Sequence, residues 1–177
     1  MPRVLAFSAA LLVAACAEMQ FQRPDAQAEF ELSGRIAVRF RDESSTGNLA
    51  WRHGARNDEV MITTSLGQGV ARIVRDGEAV TLTDAQGREH RAADAETLTE
   101  QTLGFRLPLA GLADWVRARA GSGPSQVRKD AEGRIAELDQ SGWKIEYLEW
   151  SEDGRLPARM KLSYPGIELR LAIAQWK

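Results

Sequence analysis

The chain has 177 residues, 44% of them hydrophobic, and 23 basic against 25 acidic side chains give a formal net charge of -2. Lys and Arg are interleaved with Asp and Glu, so no basic run is available to track a phosphate backbone, and nucleic acid is excluded as an expected partner. A lone cysteine rules out an intrachain disulfide, and the length suits one domain with a sizeable core.

The first element is an apolar run from Val4 to Ala15, preceded by Arg3 and followed by Cys16. At about a dozen residues it is too short to span a bilayer, which takes ~20. A basic start, an apolar middle and small residues at the end follow the order of a secretory signal. Leu12-Val13-Ala14-Ala15-Cys16 resembles the bacterial lipobox. The resemblance implies that residues 1–15 are a lipoprotein signal peptide and that Cys16 is acylated, with palmitate-type chains, as the first mature residue. An ordinary signal peptide with a chance thiol, or a buried cysteine in an apolar helix, is the alternative. Residue 17 is Ala rather than Asp, which in the enterobacterial sorting pattern favours the outer membrane over inner-membrane retention. Residues 16–28 read as the acylated cysteine and a polar tether without periodicity, and 29–177 as the folded domain.

In the domain, Phe30, Leu32, Ile36, Val38 and Phe40 alternate with polar residues, the pattern of a strand with one apolar face. Gly34 interrupts that face and predicts a bulge or bend. Further strands are predicted over Asn48 to His53, Val60 to Thr64, Val70 to Arg75, Ala79 to Thr83 and Arg88 to Arg91. Asp76-Gly77 and Gln86-Gly87 supply tight turns. The period then changes to helical. Asp94 is a predicted N-cap for a helix ending at Gly104, and a second helix is predicted over Leu109 to Ala120, stopped by Gly121. Strands resume at Gln126 to Lys129, Ile135 to Gln140, Trp143 to Tyr147, Leu156 to Tyr164 and Ile167 to Ile173. Eleven strands in successive hairpins imply an antiparallel meander that curls or splits, with the helices inserted as one block over its concave face.

Two interiors fit this pattern: a closed core, or a curled sheet enclosing an apolar pocket under a helical lid. Nine apolar positions on strands and helices could face one another and line such a pocket: Ile36, Val38, Trp51, Ile62, Leu98, Trp115, Ile145, Leu162 and Leu171. No catalytic residue is singled out. His53 and His90 are expected to be solvated strand-end residues, no Gly-x-Ser-x-Gly elbow is present, and no His or Cys spacing suits a metal. Gly67-Gln-Gly69 reads as turn chemistry rather than a phosphate loop.

Six segments in order resemble the outer-membrane lipoprotein receptor family LolB: Ser33-Gly-Arg-Ile-Ala-Val38, Gly47-Asn-Leu-Ala-Trp51, Ser65-Leu-Gly-Gln68, Leu103 to Leu109 leading to Trp115, Gln140 to Tyr147, and Leu156-Pro157. The resemblance implies an incomplete antiparallel β-barrel of about eleven strands with a helical lid over an apolar cavity. It also implies a monomeric, lipid-anchored protein facing the periplasm. Such a protein takes cargo lipoproteins from the periplasmic carrier LolA, holds their acyl chains and releases them into the outer membrane, with no cofactor and no chemical step. The family's membrane-directed leucine falls on Leu66, ahead of Gly67, with Ser65 where proline is common and Phe105 where tryptophan is frequent. A passive structural lipoprotein with a closed β-sheet core is the alternative function, and an enzyme acting on lipid stands third.

Overall fold

The computed structural model describes residues 28–103 and 105–177. The signal segment, Cys16, the tether up to residue 27 and the helix stop at Gly104 lie outside the described residues.

Strands β1 (Phe30–Phe40) and β2 (Glu43–His53) form a hairpin paired from Phe30 opposite His53 to Phe40 opposite Glu43. β2 therefore starts at Glu43, ahead of the Asn48 start read from the sequence. The ladder is made of backbone bonds, which the polar stretch Glu43 to Thr46 can form as well as an apolar one. Hairpins continue through β3 (Asn57–Thr63), β4 (Gly69–Asp76), β5 (Ala79–Asp84) and β6 (Glu89–Ala92). Two helices follow, α1 (Ala95–Leu103) and α2 (Leu109–Trp115). The second meander is β7 (Ser125–Lys129), β8 (Ile135–Gln140), β9 (Trp143–Trp150), β10 (Pro157–Tyr164) and β11 (Ile167–Trp176).

The eleven strands form one antiparallel sheet, ordered β6-β5-β4-β3-β2-β1-β11-β10-β9-β8-β7. The chain thus builds outward from β1 to one edge, crosses through the helices, and returns from the other edge until β11 pairs with β1. Among the described residues the sheet does not close, and β6 and β7 are its edges. This is the mainly β, incomplete-barrel architecture expected. The two meanders are joined in the sheet at the β1–β11 seam, and Gly34 sits on it. The register slips there between Ser33 and Gly34, and a Cβ at Gly34 would lie 2.1 Å from the Ala172 carbonyl oxygen. The glycine is required by close backbone approach.

Helix α1 begins as expected, with Asp94 accepting hydrogen bonds from Thr97 N at 2.7 Å and Thr97 Oγ1 at 2.9 Å. α1 packs chiefly on β5 and β6. α2 is shorter than the predicted Leu109 to Ala120 and ends at Trp115. Tertiary hydrogen bonds end it early. Tyr147 Oη donates to the Trp115 carbonyl at 2.8 Å, Ala118 turns to φ 52, and buried Gln140 grips the following loop. Gln140 Oε1 accepts from Trp115 Nε1 at 2.8 Å and Gly121 N at 2.9 Å, while its Nε2 donates to the Gly121 carbonyl at 2.9 Å. Sheet and helices share one core, in which Leu98, Trp115 and Val116 meet Leu82, Leu138, Ile145, Met160 and Leu162. Burying each such aliphatic side chain contributes roughly 1.5–3 kcal/mol before the entropy of ordering is subtracted.

Candidate functional site

All nine apolar candidates belong to the concave face or its helical cover. Trp51, Leu98, Trp115, Ile145, Leu162 and Leu171 are buried in the core, whereas Ile36, Val38 and Ile62 are half-buried and packed against it. The first six are buried among the other side chains of the core. Two grooves, of ≈ 320 and ≈ 400 Å³, open elsewhere on the sheet: Leu98, Trp115, Ile145 and Leu162 line neither, whereas Ile36 and Leu171 contribute to the lining of the second.

One accessible part of the apolar face is a rim at one end of the sheet. Ile36, Val38 and Ile62 are joined there by half-buried Phe40, Phe105 and Leu107. Phe105 leans on Phe40 with ring centroids 5.5 Å apart, so the segment between the helices closes over the end of β1. Phe40, Phe105 and Leu107 were not among the sequence candidates. Their signal was available in the alternation of β1 and in the apolar corner Phe105-Arg-Leu-Pro108, but which strand that corner covers is not a local property.

Leu66 lies in the β3–β4 loop at the same end. Arg35 of β1 stands opposite Asn48, and Asn48 opposite Thr63, so the loop that follows projects in the direction of the β1–β2 turn. Thr64 organises it. Thr64 N donates to the Gln68 carbonyl at 2.8 Å, and the Thr64 carbonyl accepts from Gly67 N at 3.0 Å and from Asn48 Nδ2 at 3.0 Å. Thr64 Oγ1 also accepts from Gln68 N at 3.2 Å. With Gly67 at φ 84 supplying the left-handed turn, these bonds hold the loop without a proline at position 65. Leu66 does not fold back over the sheet edge: it is 87% exposed, more than any other large apolar residue described.

The opposite end of the sheet carries a buried polar cluster that the sequence reading missed. His53, expected to be solvated, is only 9% exposed. Its ring stacks on Phe30 at 4.8 Å, and its Nδ1 lies 2.6 Å from Asp58 Oδ1. Asp58 also accepts from Trp51 Nε1 at 2.9 Å and from Arg75 Nε. The burial has a physical cause: the turn at Gly54 brings His53 and Asp58 opposite each other in the ladder, on the inward side. Burial alone pushes the Asp58 carboxyl up, but hydrogen bonds from His53, Trp51 and Arg75 outweigh it and hold the group below its ordinary value. A carboxyl with a depressed folded pKa contributes stability that is fully present above its unfolded value, about 3.9, and is lost as pH falls through the folded value. Urea midpoints should therefore drop more steeply below about pH 4 in the wild type than in Asp58→Asn. The variant should already be less stable at neutral pH, by about 3 kcal/mol, because Arg75 loses its buried partner.

Comparison with known proteins agrees with this geometry. The family model described as "Outer membrane lipoprotein LolB" matches residues 28–176. A protein of Thiobacillus denitrificans named outer-membrane lipoprotein LolB is 43% identical over 151 residues, covering 82% of this chain and 78% of its own. One of the same name from Chromobacterium violaceum is 36% identical over 182 residues, covering 99% and 98%. Among solved structures, a LolA superfamily protein from Nitrosomonas europaea superposes with TM-score 0.52 at 15% identity, covering 84% of each chain. A DUF1329 family protein from Desulfovibrio piger gives 0.53 at 8% identity, covering 85% of this chain and 86% of that one. These two share the fold alone. An unclosed eleven-stranded sheet under two short helices, matched by the family model across every described strand and by relatives along most of their length, places the chain in the outer membrane lipoprotein LolB family.

Proposed function

We propose that the protein is an outer-membrane lipoprotein, anchored through acylated Cys16, that accepts other lipoproteins from a LolA-type periplasmic carrier and inserts them into that membrane. Exposed Leu66 is the observation that carries the reading. A hairpin loop in water has no use for a leucine at its tip, whereas a loop that touches a bilayer does. Residues 1–15 are then the signal peptide, 16–28 the tether and 29–177 the transfer domain. The tether enters at the Phe30 end, away from Leu66. Its dozen residues can span about 40 Å when extended, and an eleven-residue strand is about 35 Å long, so Cys16 and Leu66 can meet the same membrane.

Cargo acyl chains would enter at the rim of Ile36, Val38, Phe40 and Phe105 and displace the segment between the helices. α2 is pinned by Gln140 and Tyr147, so movement falls on α1 and the segment after it. No bond is made or broken. Transfer is driven by differences in binding free energy between carrier, receptor and bilayer, and each methylene of an acyl chain moved out of water is worth ~0.8 kcal/mol. The burial of six of the nine candidates in the core favours one competing reading, a passive lipoprotein with a closed core. That reading expects no fluorescence gain from a fatty-acid-like probe, and transfer predicts one.

Leu66→Glu tests the proposal. One leucine in lipid is worth at most ~1.5–3 kcal/mol, too little to anchor the protein but enough to dip the loop into the bilayer. The variant should melt with the wild type and load labelled lipoprotein from the carrier equally well, yet deliver it to liposomes at least about tenfold more slowly. Equal delivery by both proteins would refute the reading.

A further inference from the structure

We infer that the groove beside the Leu66 loop binds the phosphate headgroup of an anionic phospholipid when the loop meets the membrane. The inference rests on the reading of Leu66 as a membrane contact and adds a specificity for lipid charge.

The groove, ≈ 400 Å³, runs across β2, β1, β11 and β10 from Ser65 on one side to Arg159 on the other. Arg35 and Arg170 stand between them beside Ala37 and Ala172, Ile36 and Leu171 complete that part of the lining, and no carboxylate of the described residues lines it. The arginines carry more positive charge than their partners neutralise. Arg35 has no carboxylate partner among the described residues. Arg170 shares Glu168 with Arg39, at 2.9 and 3.2 Å, so two guanidinium groups divide one carboxylate. Arg159 pairs with Glu149 at 2.8 Å, but both side chains are exposed, and water competes for such a pair. Lys161, on the same strand as Arg159, has its own partner in Glu146. Asp42 and Glu43, at the β1–β2 turn, line no part of the groove. On a chain of net charge -2, a surplus of arginine gathered on three adjacent strands is a local departure from the interleaved charges elsewhere.

The position of the groove selects the occupant. Ser65, in its wall, directly precedes Leu66, and Asn48, also in its lining, holds the Thr64 carbonyl. Leu66 and the groove are thus parts of one unit. The headgroup layer is roughly 5–7 Å thick on each side of the hydrocarbon, so a leucine just inside the hydrocarbon places its neighbours at the depth of the phosphates. Small Ala37, Gly47 and Ala172 in the lining leave room for a phosphate, and guanidinium groups bind phosphate oxygens in a planar, bidentate fashion. An acidic protein surface would meet the same charge but has no reason to require the leucine beside it.

The mature chain carrying Cys16→Ser, which keeps every described strand and helix, is floated with vesicles of phosphatidylcholine or of equal parts phosphatidylcholine and phosphatidylglycerol. The wild-type domain should prefer the anionic vesicles by roughly tenfold or more at low salt, a preference that added salt weakens. Arg35→Gln with Arg170→Gln should abolish that preference while leaving the melting temperature unchanged, because both side chains are exposed and Glu168 keeps Arg39. No preference in the wild type, or one that survives in the double variant, would overturn the inference. So would a double variant that binds both vesicles normally but accepts cargo slowly from the carrier, since the groove would then be a protein-docking surface. Delivery of labelled lipoprotein into neutral vesicles is read separately. Failure of Leu66→Glu to slow it would sink the Leu66 reading, whereas the groove stands or falls on the charge preference alone.

Discussion

Gly34→Ala is expected to lower stability by at least about 3 kcal/mol and to yield little folded protein, the upper end of what overpacking costs. The added Cβ would sit 2.1 Å from the Ala172 carbonyl oxygen and 2.9 Å from the Ile173 Cα. Both are backbone atoms, so no side-chain rotation relieves the contact. The β1 and β11 strands must instead move apart. They form the seam at which the first six strands join the last five, and separating them exposes the middle of the core on both sides. Gly87→Ala provides the control: it places a residue at φ 76 with nothing within 4 Å of the new Cβ, and should cost only the ~1–2 kcal/mol of a left-handed residue. Urea midpoints of the two variants measure the contrast. Equal losses would mean that the seam yields more readily than the backbone geometry implies.

Ile145→Glu and Ile36→Glu are expected to fail in different ways, although both positions are apolar and on the concave face. Ile145 is 0% exposed, beneath the helices. A carboxylate there has neither water nor a partner, and burying it costs several kcal/mol even if the group stays protonated. Ile145→Glu should therefore unfold the domain and lose cargo binding with the fold. Ile36 is half-buried at the rim, packed against the core but still in reach of water. A glutamate there can turn outward, so Ile36→Glu should keep most of the stability, within about 1–2 kcal/mol. It should lose most of the fluorescence gain of a fatty-acid-like probe, because the charge stands where an acyl chain must enter. Circular dichroism melts paired with probe titrations separate the two cases. A folded Ile36→Glu that binds the probe as well as the wild type would move the entrance away from this rim and leave the closed-core reading standing.

What the amino-acid sequence determined by itself was much of the apolar inward face. Alternation in β1, β2 and β9 to β11 identified side chains that the fold does bury, and Asp94 capped its helix as read, because period and capping depend only on neighbours within a turn or a strand. Leu66 was legible as an anomaly for the same reason: an apolar residue in a turn contradicts its local setting. What only the tertiary structure decided is which surfaces meet. Periodicity does not name a strand's partner, so the β1–β11 seam, between segments more than a hundred residues apart, could not be read from it. The early end of α2 depends on Tyr147 and Gln140 from the second meander, and the burial of His53 on a hydrogen bond to Asp58 across a turn. The outward projection of Leu66 required the Thr64 hydrogen bonds, and the arginine groove beside it exists only because β1, β10 and β11 become neighbours. For the seam, the end of α2 and the groove, the controlling free energy lies in contacts between residues distant in the chain, formed only when the global register is set, whereas His53 and Leu66 are placed mainly by hydrogen bonds across a single turn.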